Sequence, residues 1–175
     1  MRGIEGQMVQ NSLVRDATIQ DLDAILNIYN AYIGNGIITA DTDLVTTAER
    51  IPWFKQHRPE SRPLWVLESG GEIAAWISLS NFYGRPAYQS TAEVSIYIHE
   101  KHTGKGLGKY LLQKMIDACP SLHVETLLGF IFSENLASIR LFSHFGFDQW
   151  GLLPQVAELA GSKHDLVILG KKLSQ

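Results

Sequence analysis

The turn formed by residues 102–109 is the strongest chemical signal in this sequence, because it is rich in glycine and joins a predicted strand to a predicted helix. Gly104, Gly106 and Gly108 lack the side chains that would keep an anion away from the backbone. The free N–H groups of the following helix, at the positive end of its dipole, point at the same turn. The turn is therefore predicted to hold a phosphate or a pyrophosphate.

Two well-known phosphate motifs do not fit this turn. A P-loop ends in Gly-Lys-Ser/Thr after a fixed spacing, which is absent, and the last glycine comes one residue too early for a dinucleotide fingerprint. Lys105 and Lys109 add positive charge beside the turn and favour an anion. A glycine-rich turn that serves only tight packing is the alternative.

Glu93 is the second candidate for chemistry, because it lies in a predicted strand over residues 91–99. Side chains alternate between the faces of a strand. The apolar face carries Ala92, Val94, Ile96 and Ile98, and the opposite face carries Thr91, Glu93, Ser95 and Tyr97. A carboxylate that looks into a cleft can accept the proton of an ammonium substrate if its pKa is raised toward neutrality. A glutamate on a solvated strand face is the alternative.

Arg85 lies just before that strand, in a loop over residues 81–90 that is rich in aromatic residues. A guanidinium there can clamp the carboxylate of an amino-acid substrate through two parallel hydrogen bonds, and the alternative is an ordinary surface cation. Phe82, Tyr83 and Tyr88 of the same loop either line the cleft or pack the loop against the fold.

The histidines and the cysteine predict neither a metal site nor a covalent mechanism. The six histidines are scattered without metal-ligand spacing. Cys119 is the one cysteine and is predicted to be a small buried hydrophobe. No disulfide can form within the chain, which fits a reducing, cytoplasmic compartment. We therefore expect no metal cofactor.

Composition predicts one globular domain. The chain has 175 residues, of which 45% are hydrophobic and 19% charged, so disorder is excluded as the main state. A formal net charge of -3 argues against nucleic acid as a partner. No apolar run approaches the roughly 20 residues needed to span a bilayer, so no membrane partner is expected. Residues 1–12 are predicted to be a loose extension and residues 13–175 the domain.

Apolar periodicity and turn residues predict eleven elements. Strands are predicted over residues 13–18, 64–68, 73–79, 91–99, 124–132, 147–152 and 165–173, and helices over 18–33, 46–54, 107–119 and 133–146. Pro52 makes the second helix either one kinked helix or two short ones. The order predicts an α/β fold, a single domain with a mixed, mostly antiparallel sheet flanked by helices.

The sequence resembles the GCN5-related N-acetyltransferase superfamily. Residues 103–108 resemble its acyl-CoA loop, and residues 135–142 with Gly146 and Phe147 resemble its last motif. Within the superfamily the sequence is most similar to phosphinothricin and methionine sulfoximine acetyltransferases. The segments that carry this likeness are residues 28–30, 39–41, 53–54, 85–88, 91–93, 95–98 and 155–156, together with Asp165.

The resemblance implies an acyl-CoA N-acyltransferase fold, acetyl-CoA as co-substrate and a role for each matching residue. Glu93 would be the general base. Asn135, which the sequence alone predicts to be a helix cap, would also contact the cofactor. The cofactor-binding residues would be Ile96, Tyr97, Ile98, Thr103, Gly104, Lys105, Gly106, Leu107, Gly108, Lys109, Asn135 and Ser138. The substrate-binding residues would be Phe82, Arg85, Pro86, Ala87 and Tyr88.

Two positions depart from the superfamily pattern. Thr103 stands where the acyl-CoA loop usually has Gln or Arg, but most phosphate contacts there should come from backbone N–H groups. Phe142 stands where many members have a tyrosine that protonates the leaving thiolate. We therefore expect water or another residue to supply that proton, or the thiolate to leave unprotonated.

The sequence thus predicts direct acetyl transfer from acetyl-CoA to the amine of a small amino-acid-like substrate. The backbone N–H groups near Tyr97 and Ile98 would polarise the thioester carbonyl. Two alternatives remain open: a non-catalytic acyl-CoA-binding sensor, and an acetyltransferase for protein N-termini, lysines or polyamines. The resemblance also implies a homodimer, for which the apolar segment 150–154 could supply an interface.

Overall fold

The computed structural model describes residues 12–34 and 37–173 of the chain. Within these residues seven strands form one sheet in the order β1-β2-β3-β4-β5-β7-β6. The strands are β1 (Ser12–Asp16), β2 (Leu64–Ser69), β3 (Glu72–Asn81), β4 (Thr91–Ile98), β5 (Thr126–Phe132), β6 (Asp148–Leu159) and β7 (Ser162–Lys172). The helices are α1 (Leu22–Asn30), α2 (Thr47–Phe54), α3 (Leu107–Ala118) and α4 (Leu136–His144). This order and the mixed, mostly antiparallel sheet confirm the predicted fold class.

Apolar side chains cover both faces of the central strands. On one face α3 buries Leu111, Leu112 and Met115 in a cluster that continues under β3, β4 and β5. On the other face Ile25 and Ile28 of α1 pack against a second cluster with β2 and β3. The functional strand β4 is therefore held between two helical layers.

The strands β4 and β5 are parallel neighbours only at their beginnings. Their pairing covers Thr91 to Glu93 on β4 and Thr126 to Leu128 on β5. Beyond Glu93 the two strands are no longer paired with each other, although β3 continues to pair with β4 and β7 continues to pair with β5. The sheet therefore opens into a V whose branch point is at Glu93.

Helix caps explain where the first two helices begin. The Asp21 carboxylate accepts a 2.7 Å hydrogen bond from the N–H of Thr18, as the sequence predicted, and a 3-10 turn over Ile19–Asp21 leads into α1. The Thr46 side chain and Glu49 form the equivalent capping box for α2. Pro52 lies within α2 without dividing it, so the structure has one short helix there.

Two helix boundaries differ from the prediction. The helix predicted to reach residue 33 ends at Asn30, and turns follow it; of its predicted terminating residues, only Gly34 lies within the described residues. The helix predicted to start at Ser133 starts at Leu136. The Ser133 N–H donates to the Asp165 carbonyl and extends the β5–β7 pairing, so the Asn135 side chain caps the helix two residues later.

The last two strands are longer than predicted. They form a long hairpin whose turn, Ala160 and Gly161, has positive φ at both residues. Alanine is an unusual residue for such a turn, which is why the sequence did not signal it. Apart from Ser12, which opens β1, the predicted extension over residues 1–12 lies outside the described residues. None of the helices in the described part of the chain is long and apolar enough to cross a bilayer.

Candidate active site

A cavity of about 340 Å³ lies beside the V, on the sheet face that α1 and α2 cover. Alternate residues of β3 and β4 form its floor, and Phe130, Phe132 and Leu166 face them from β5 and β7. The floor residues are Trp76, Ser78, Ser80, Glu93, Ser95 and Tyr97. The alternation predicted for β4 therefore brings Glu93, Ser95 and Tyr97 to one cavity.

Glu93 lies at the branch point with its carboxylate in a polar part of this floor. It is directly opposite Ser80, and Ser78 is opposite Ser95. Its carboxylate has no hydrogen-bond partner among the described residues. Burial therefore raises the pKa of the Glu93 carboxyl above its usual range, and no neighbouring cation offsets this. A carboxylate in this state is suited to accept a proton near neutral pH.

Aromatic rings form the far end of the cavity. Trp76 stacks on Tyr97 with a centroid distance of 4.6 Å. Trp53 of α2 contacts Trp76 edge-on at 5.8 Å, and Tyr29 of α1 contacts Tyr97 at 5.0 Å. Burial raises the pKa of the Tyr97 hydroxyl, so this residue is neutral at any physiological pH. The aromatic end therefore supplies shape and apolar surface.

Arg50 is the one cation among the described residues that line the cavity. Its Nη2 atom donates to Asp41 Oδ2 at 2.8 Å, and its guanidinium lies over the rings of Tyr29 at 5.1 Å and Trp53 at 5.6 Å. Tyr29 donates a 2.7 Å hydrogen bond to the same Asp41 oxygen and accepts one from Thr39. These contacts hold Arg50 in one orientation at the aromatic end.

The backbone of β4 presents free groups to the V. The N–H of His99 donates to the Ala74 carbonyl on β3, so the alternation of an antiparallel pair directs the backbone groups of Tyr97 to β3 as well. The groups of Ile96 and Ile98 point the other way, toward the separated β5. Consistent with this, the Ile98 carbonyl accepts a hydrogen bond from the Tyr32 hydroxyl. Of the predicted carbonyl-polarising donors, Ile98 faces the V and Tyr97 does not.

The glycine-rich turn leads directly into α3. Gly104 and Gly106 have φ values of +71° and +81°, which glycine adopts without strain, and no atom lies within 4 Å of the position that a Cβ would take at either residue. Gly106 is the N-cap of α3 and offers no side chain to the first-turn N–H groups. Those groups are therefore open to an anion, as predicted.

Other residues of the turn have different tasks. A Cβ at Gly108 would lie 3.1 Å from Leu141 and 3.2 Å from Ile98, so this glycine allows α3 to pack closely on its neighbours. The Leu107 side chain is buried, which leaves only its backbone to a ligand. The Thr103 hydroxyl donates to the Glu100 carbonyl at 2.9 Å. Lys105 is partly exposed and Lys109 is exposed.

The predicted cofactor residues of α4 lie at its first turn. The Asn135 side chain accepts a 3.1 Å hydrogen bond from the Ser138 N–H, which confirms the helix cap. Phe142 of the same helix is buried, and a Cβ at Gly129 would lie only 2.7 Å from its ring. Phe142 thus packs against the glycine of β5 and has no group that could donate a proton.

Arg85, in the loop that precedes β4, does not line the Glu93 cavity. Arg85, together with Phe82, Pro86 and Tyr88, lines a second depression, which also contains Arg58, Arg62 and His123. Ala87 lies in the same 3-10 turn, Pro86–Tyr88. Phe82 links the two regions, because its ring stacks at 6.3 Å on Phe130 of the cavity wall. The structure therefore separates the predicted carboxylate clamp from the predicted base.

The positions of Arg50, Ser78 and Ser80 in the cavity lining were not predicted from the sequence. Nothing in the spacing of α2 marks Arg50, because it becomes a cavity residue only when α2 folds over the sheet. Ser78 and Ser80 did carry a signal: they alternate with Ile77 and Leu79 in a strand that is otherwise apolar, as expected for a polar cavity floor. No group of three or more His, Cys, Asp or Glu residues in the described ranges could hold a metal ion.

The model of the Acetyltransferase (GNAT) family matches residues 22–147. YwnH of Bacillus subtilis (strain 168), which is provisionally named a phosphinothricin acetyltransferase, is 51% identical over 162 residues, covering 92% of this chain and 99% of the relative. The L-methionine sulfoximine/L-methionine sulfone acetyltransferase of Pseudomonas paraeruginosa is 32% identical over 157 residues, covering 89% and 91% of the two chains.

Comparison with solved structures leads to the same family. The crystal structure of a GNAT superfamily phosphinothricin acetyltransferase from Sinorhizobium meliloti, in complex with acetyl-CoA, superposes with a TM-score of 0.87. It is 28% identical and covers 94% of this chain and 89% of that chain. This chain therefore belongs to the GNAT acetyltransferase family. It is an N-acetyltransferase that uses acetyl-CoA as co-substrate, and the resemblance stated from its sequence is confirmed.

Proposed function

We propose that this enzyme acetylates the amine of a small amino-acid-like substrate of the phosphinothricin or methionine sulfoximine type, with Glu93 as the general base. The observation that carries the proposal is the state of Glu93: it is the one carboxylate among the described residues that line the cavity, it lies at the branch point of the V, and burial raises its pKa. The names of the relatives support the substrate class.

Acetyl-CoA would bind with its pyrophosphate on the open N–H groups at the start of α3. Gly104 and Gly106 leave the approach free of side chains, and Lys105 and Lys109 add charge. The rest of the cofactor would extend along the unpaired edge of β4, where Ile96 and Ile98 direct backbone donors and acceptors into the V. Asn135 and Ser138 would contact it from the start of α4, and Thr103 would contribute its backbone.

In the proposed mechanism, Glu93 takes a proton from the substrate ammonium, directly or through one water molecule. The neutral nitrogen attacks the thioester carbon, and an N–H group of Ile96 or Ile98 stabilises the oxyanion that forms. The C–S bond breaks, the thiolate of CoA leaves with the bonding electron pair, and the amide nitrogen loses its second proton to water. Because Phe142 has no proton to give, the thiolate leaves unprotonated or is protonated by water.

The size and charge of the cavity favour a small zwitterionic substrate over a polyamine or a protein segment. Its volume of about 340 Å³ is at the small end for ligand sites, which suits an amino acid better than a protein segment. One carboxylate and one guanidinium line it, whereas a polyamine would be favoured by several carboxylates. The sensor alternative is disfavoured by the presence of a half-buried carboxylate with a raised pKa at the branch point.

A panel of amines tests the proposal. Release of CoA from acetyl-CoA would be followed with L-methionine sulfone, phosphinothricin, spermidine and a lysine-containing peptide. The two amino-acid-like compounds should give the highest kcat/KM. Preference for spermidine or the peptide would contradict the substrate class, and binding of acetyl-CoA without CoA release for any amine would favour the sensor.

We also propose a homodimer in which the edge strand β6 lies in the interface. Trp150, Leu152, Leu153 and Val156 of this strand are between 41% and 56% exposed, an unusual amount of apolar surface for one strand. Light scattering should give twice the chain mass of 19.5 kDa, and Leu152→Lys with Val156→Lys should shift it toward the monomer. A monomeric wild-type protein at tens of micromolar would contradict this proposal.

A cytoplasmic location, without membrane or nucleic-acid partners, remains part of the proposal. The only thiol, Cys119, is buried, and burial raises its pKa to about 12, so it is neither a disulfide partner nor a reactive nucleophile. The net charge of -3 supports the absence of a nucleic-acid partner. Fractionation of cells that produce the protein would test the location.

A further inference from the structure

We propose that Arg50 holds the carboxylate of the amino-acid substrate, an inference that rests on the substrate class proposed above. Arg50 is the one cation among the described residues that line the Glu93 cavity. Arg85, which the resemblance suggested for this task, lines the second depression instead. A zwitterion bound beside Glu93 therefore meets a guanidinium from α2, not from the loop before β4.

The position of Arg50 is fixed before any substrate binds. The capping box of Thr46 and Glu49 sets the start of α2 and thus its register over the sheet. The bond from Nη2 to Asp41 Oδ2 and the rings of Tyr29 and Trp53 then hold the guanidinium. A long side chain that is already ordered loses little entropy when it binds a ligand, which favours this arrangement for recognition.

The guanidinium keeps hydrogen-bonding capacity for a ligand. Its protein bond uses Nη2, while Nη1 and Nε have no partner among the residues that the structure describes. The side chain of Asp41 is 42% exposed and lies outside the cavity lining, so solvent screens much of its charge. Arg50 therefore retains a positive, donor-rich edge that matches a carboxylate.

Arg50 and Glu93 lie at opposite ends of the cavity. Glu93 and Tyr97 share one face of β4 and are four residues apart, which places their Cα atoms about 13 Å apart. Arg50 lies over Tyr29, whose ring contacts Tyr97 at 5.0 Å. The two charged groups therefore do not neutralise each other. An amino acid can direct its ammonium toward Glu93, through a water molecule, and its carboxylate toward Arg50.

The test compares substrates with and without the carboxylate. Steady-state kinetics would be measured with L-methionine sulfone and with its primary amide, for the wild type, Arg50→Gln, Arg50→Lys and Arg85→Gln. Lys55→Gln is the matched control, because Lys55 is an exposed cation just after the same helix and lines neither the Glu93 cavity nor the second depression. The acetyl-CoA-induced thermal shift of each variant would verify that it is folded.

Arg50→Gln should raise KM for the sulfone about 10- to 100-fold, the range expected for losing a hydrogen bond between charged groups. It should change kcat by much less, and KM for the amide only a few-fold. Arg50→Lys should recover part of the loss, and Lys55→Gln should leave the kinetics with both substrates unchanged. An equal effect of Arg50→Gln on sulfone and amide would overturn the clamp and leave Arg50 a structural role.

Two other results would overturn the clamp. A selective rise of KM for the sulfone in Arg85→Gln, with Arg50→Gln unaffected, would assign the carboxylate to the second depression. A wild-type enzyme that uses the amide as well as the sulfone would remove the need for any clamp. Failure of the wild type with every amine would instead refute the proposed function itself, so the two failures are distinguishable.

Discussion

Replacing Gly106 with leucine tests the anion-binding turn, because the structure separates the two costs of this change. The residue has a φ of +81°, and no atom lies within 4 Å of its virtual Cβ. The loss of stability is therefore conformational and not steric, and amounts to about 1–2 kcal/mol for a side chain in the left-handed region. For a domain of this size we expect a fall in Tm of roughly 2–8 °C.

The effect on ligand binding should be larger than the effect on stability. A ligand at a hundredfold excess over its Kd stabilises the folded state by about 2.7 kcal/mol. Wild type at that concentration of acetyl-CoA should therefore melt several degrees higher than without it. In Gly106→Leu the new side chain projects into the open space before the first-turn N–H groups of α3, so the shift should disappear.

Gly71→Leu is the matched control. Gly71 lies in the turn between β2 and β3 with a φ of +85° and, like Gly106, has no atom within 4 Å of its virtual Cβ. This variant should lose a similar amount of Tm and keep the full acetyl-CoA shift. If both variants keep the shift, Gly106 does not contribute to the cofactor site; if both lose it, general destabilisation and not a blocked turn explains the effect.

Three further predictions concern stability. Because burial raises the pKa of Glu93, the wild type loses stability as the pH rises through the window between the ordinary and the raised value. Glu93→Gln should therefore unfold at a higher denaturant concentration than the wild type at pH 7, and at about the same concentration at pH 4, where the Glu93 carboxyl is largely protonated in both states. The Arg15 guanidinium lowers the pKa of Asp21 to about 2, from 3.8, so Asp21→Asn should cost up to about 2 kcal/mol at pH 7, and this cost should vanish as the pH falls from 4 toward 2. A urea titration of both variants across this pH range checks the signs, and a constant difference would contradict them. Phe142→Ala should cost about 3–5 kcal/mol in the same assay, because its ring is buried against Gly129 and Phe147; a cost below 1 kcal/mol would contradict the packing described here.

The fold and the open geometry of the glycine-rich turn could be predicted from the sequence because both depend on local chemistry. Strand alternation around Glu93, the cap at Thr18 and the glycines of the turn each act within a few residues, and the structure agrees with all of them. The length of the β6–β7 hairpin was underestimated because Pro154 interrupts the pattern of the largely exposed strand β6, and because the Ala160–Gly161 turn carries no usual turn signal at its first residue.

The substrate end of the site depends on contacts between distant segments. Arg50 reaches the cavity only because α2 folds over β3, and its partner Asp41 comes from the loop before that helix. Arg85 is close to β4 in sequence and yet lines another depression, next to the 3-10 turn at Pro86–Tyr88. The role of Arg85 as a carboxylate clamp therefore stays a prediction, and its position alone does not bring it to Glu93.

The pH dependence of CoA release by wild type and Glu93→Gln, with saturating acetyl-CoA and L-methionine sulfone, tests the central claim most directly. Wild-type kcat should fall as the pH drops through the raised pKa of Glu93, since the base must be deprotonated to act. The variant should be about a hundred- to ten-thousand-fold slower near neutral pH, with its acetyl-CoA thermal shift unchanged. A Glu93→Gln enzyme with wild-type kcat near neutral pH, where Glu93 should be deprotonated, would remove Glu93 from the mechanism.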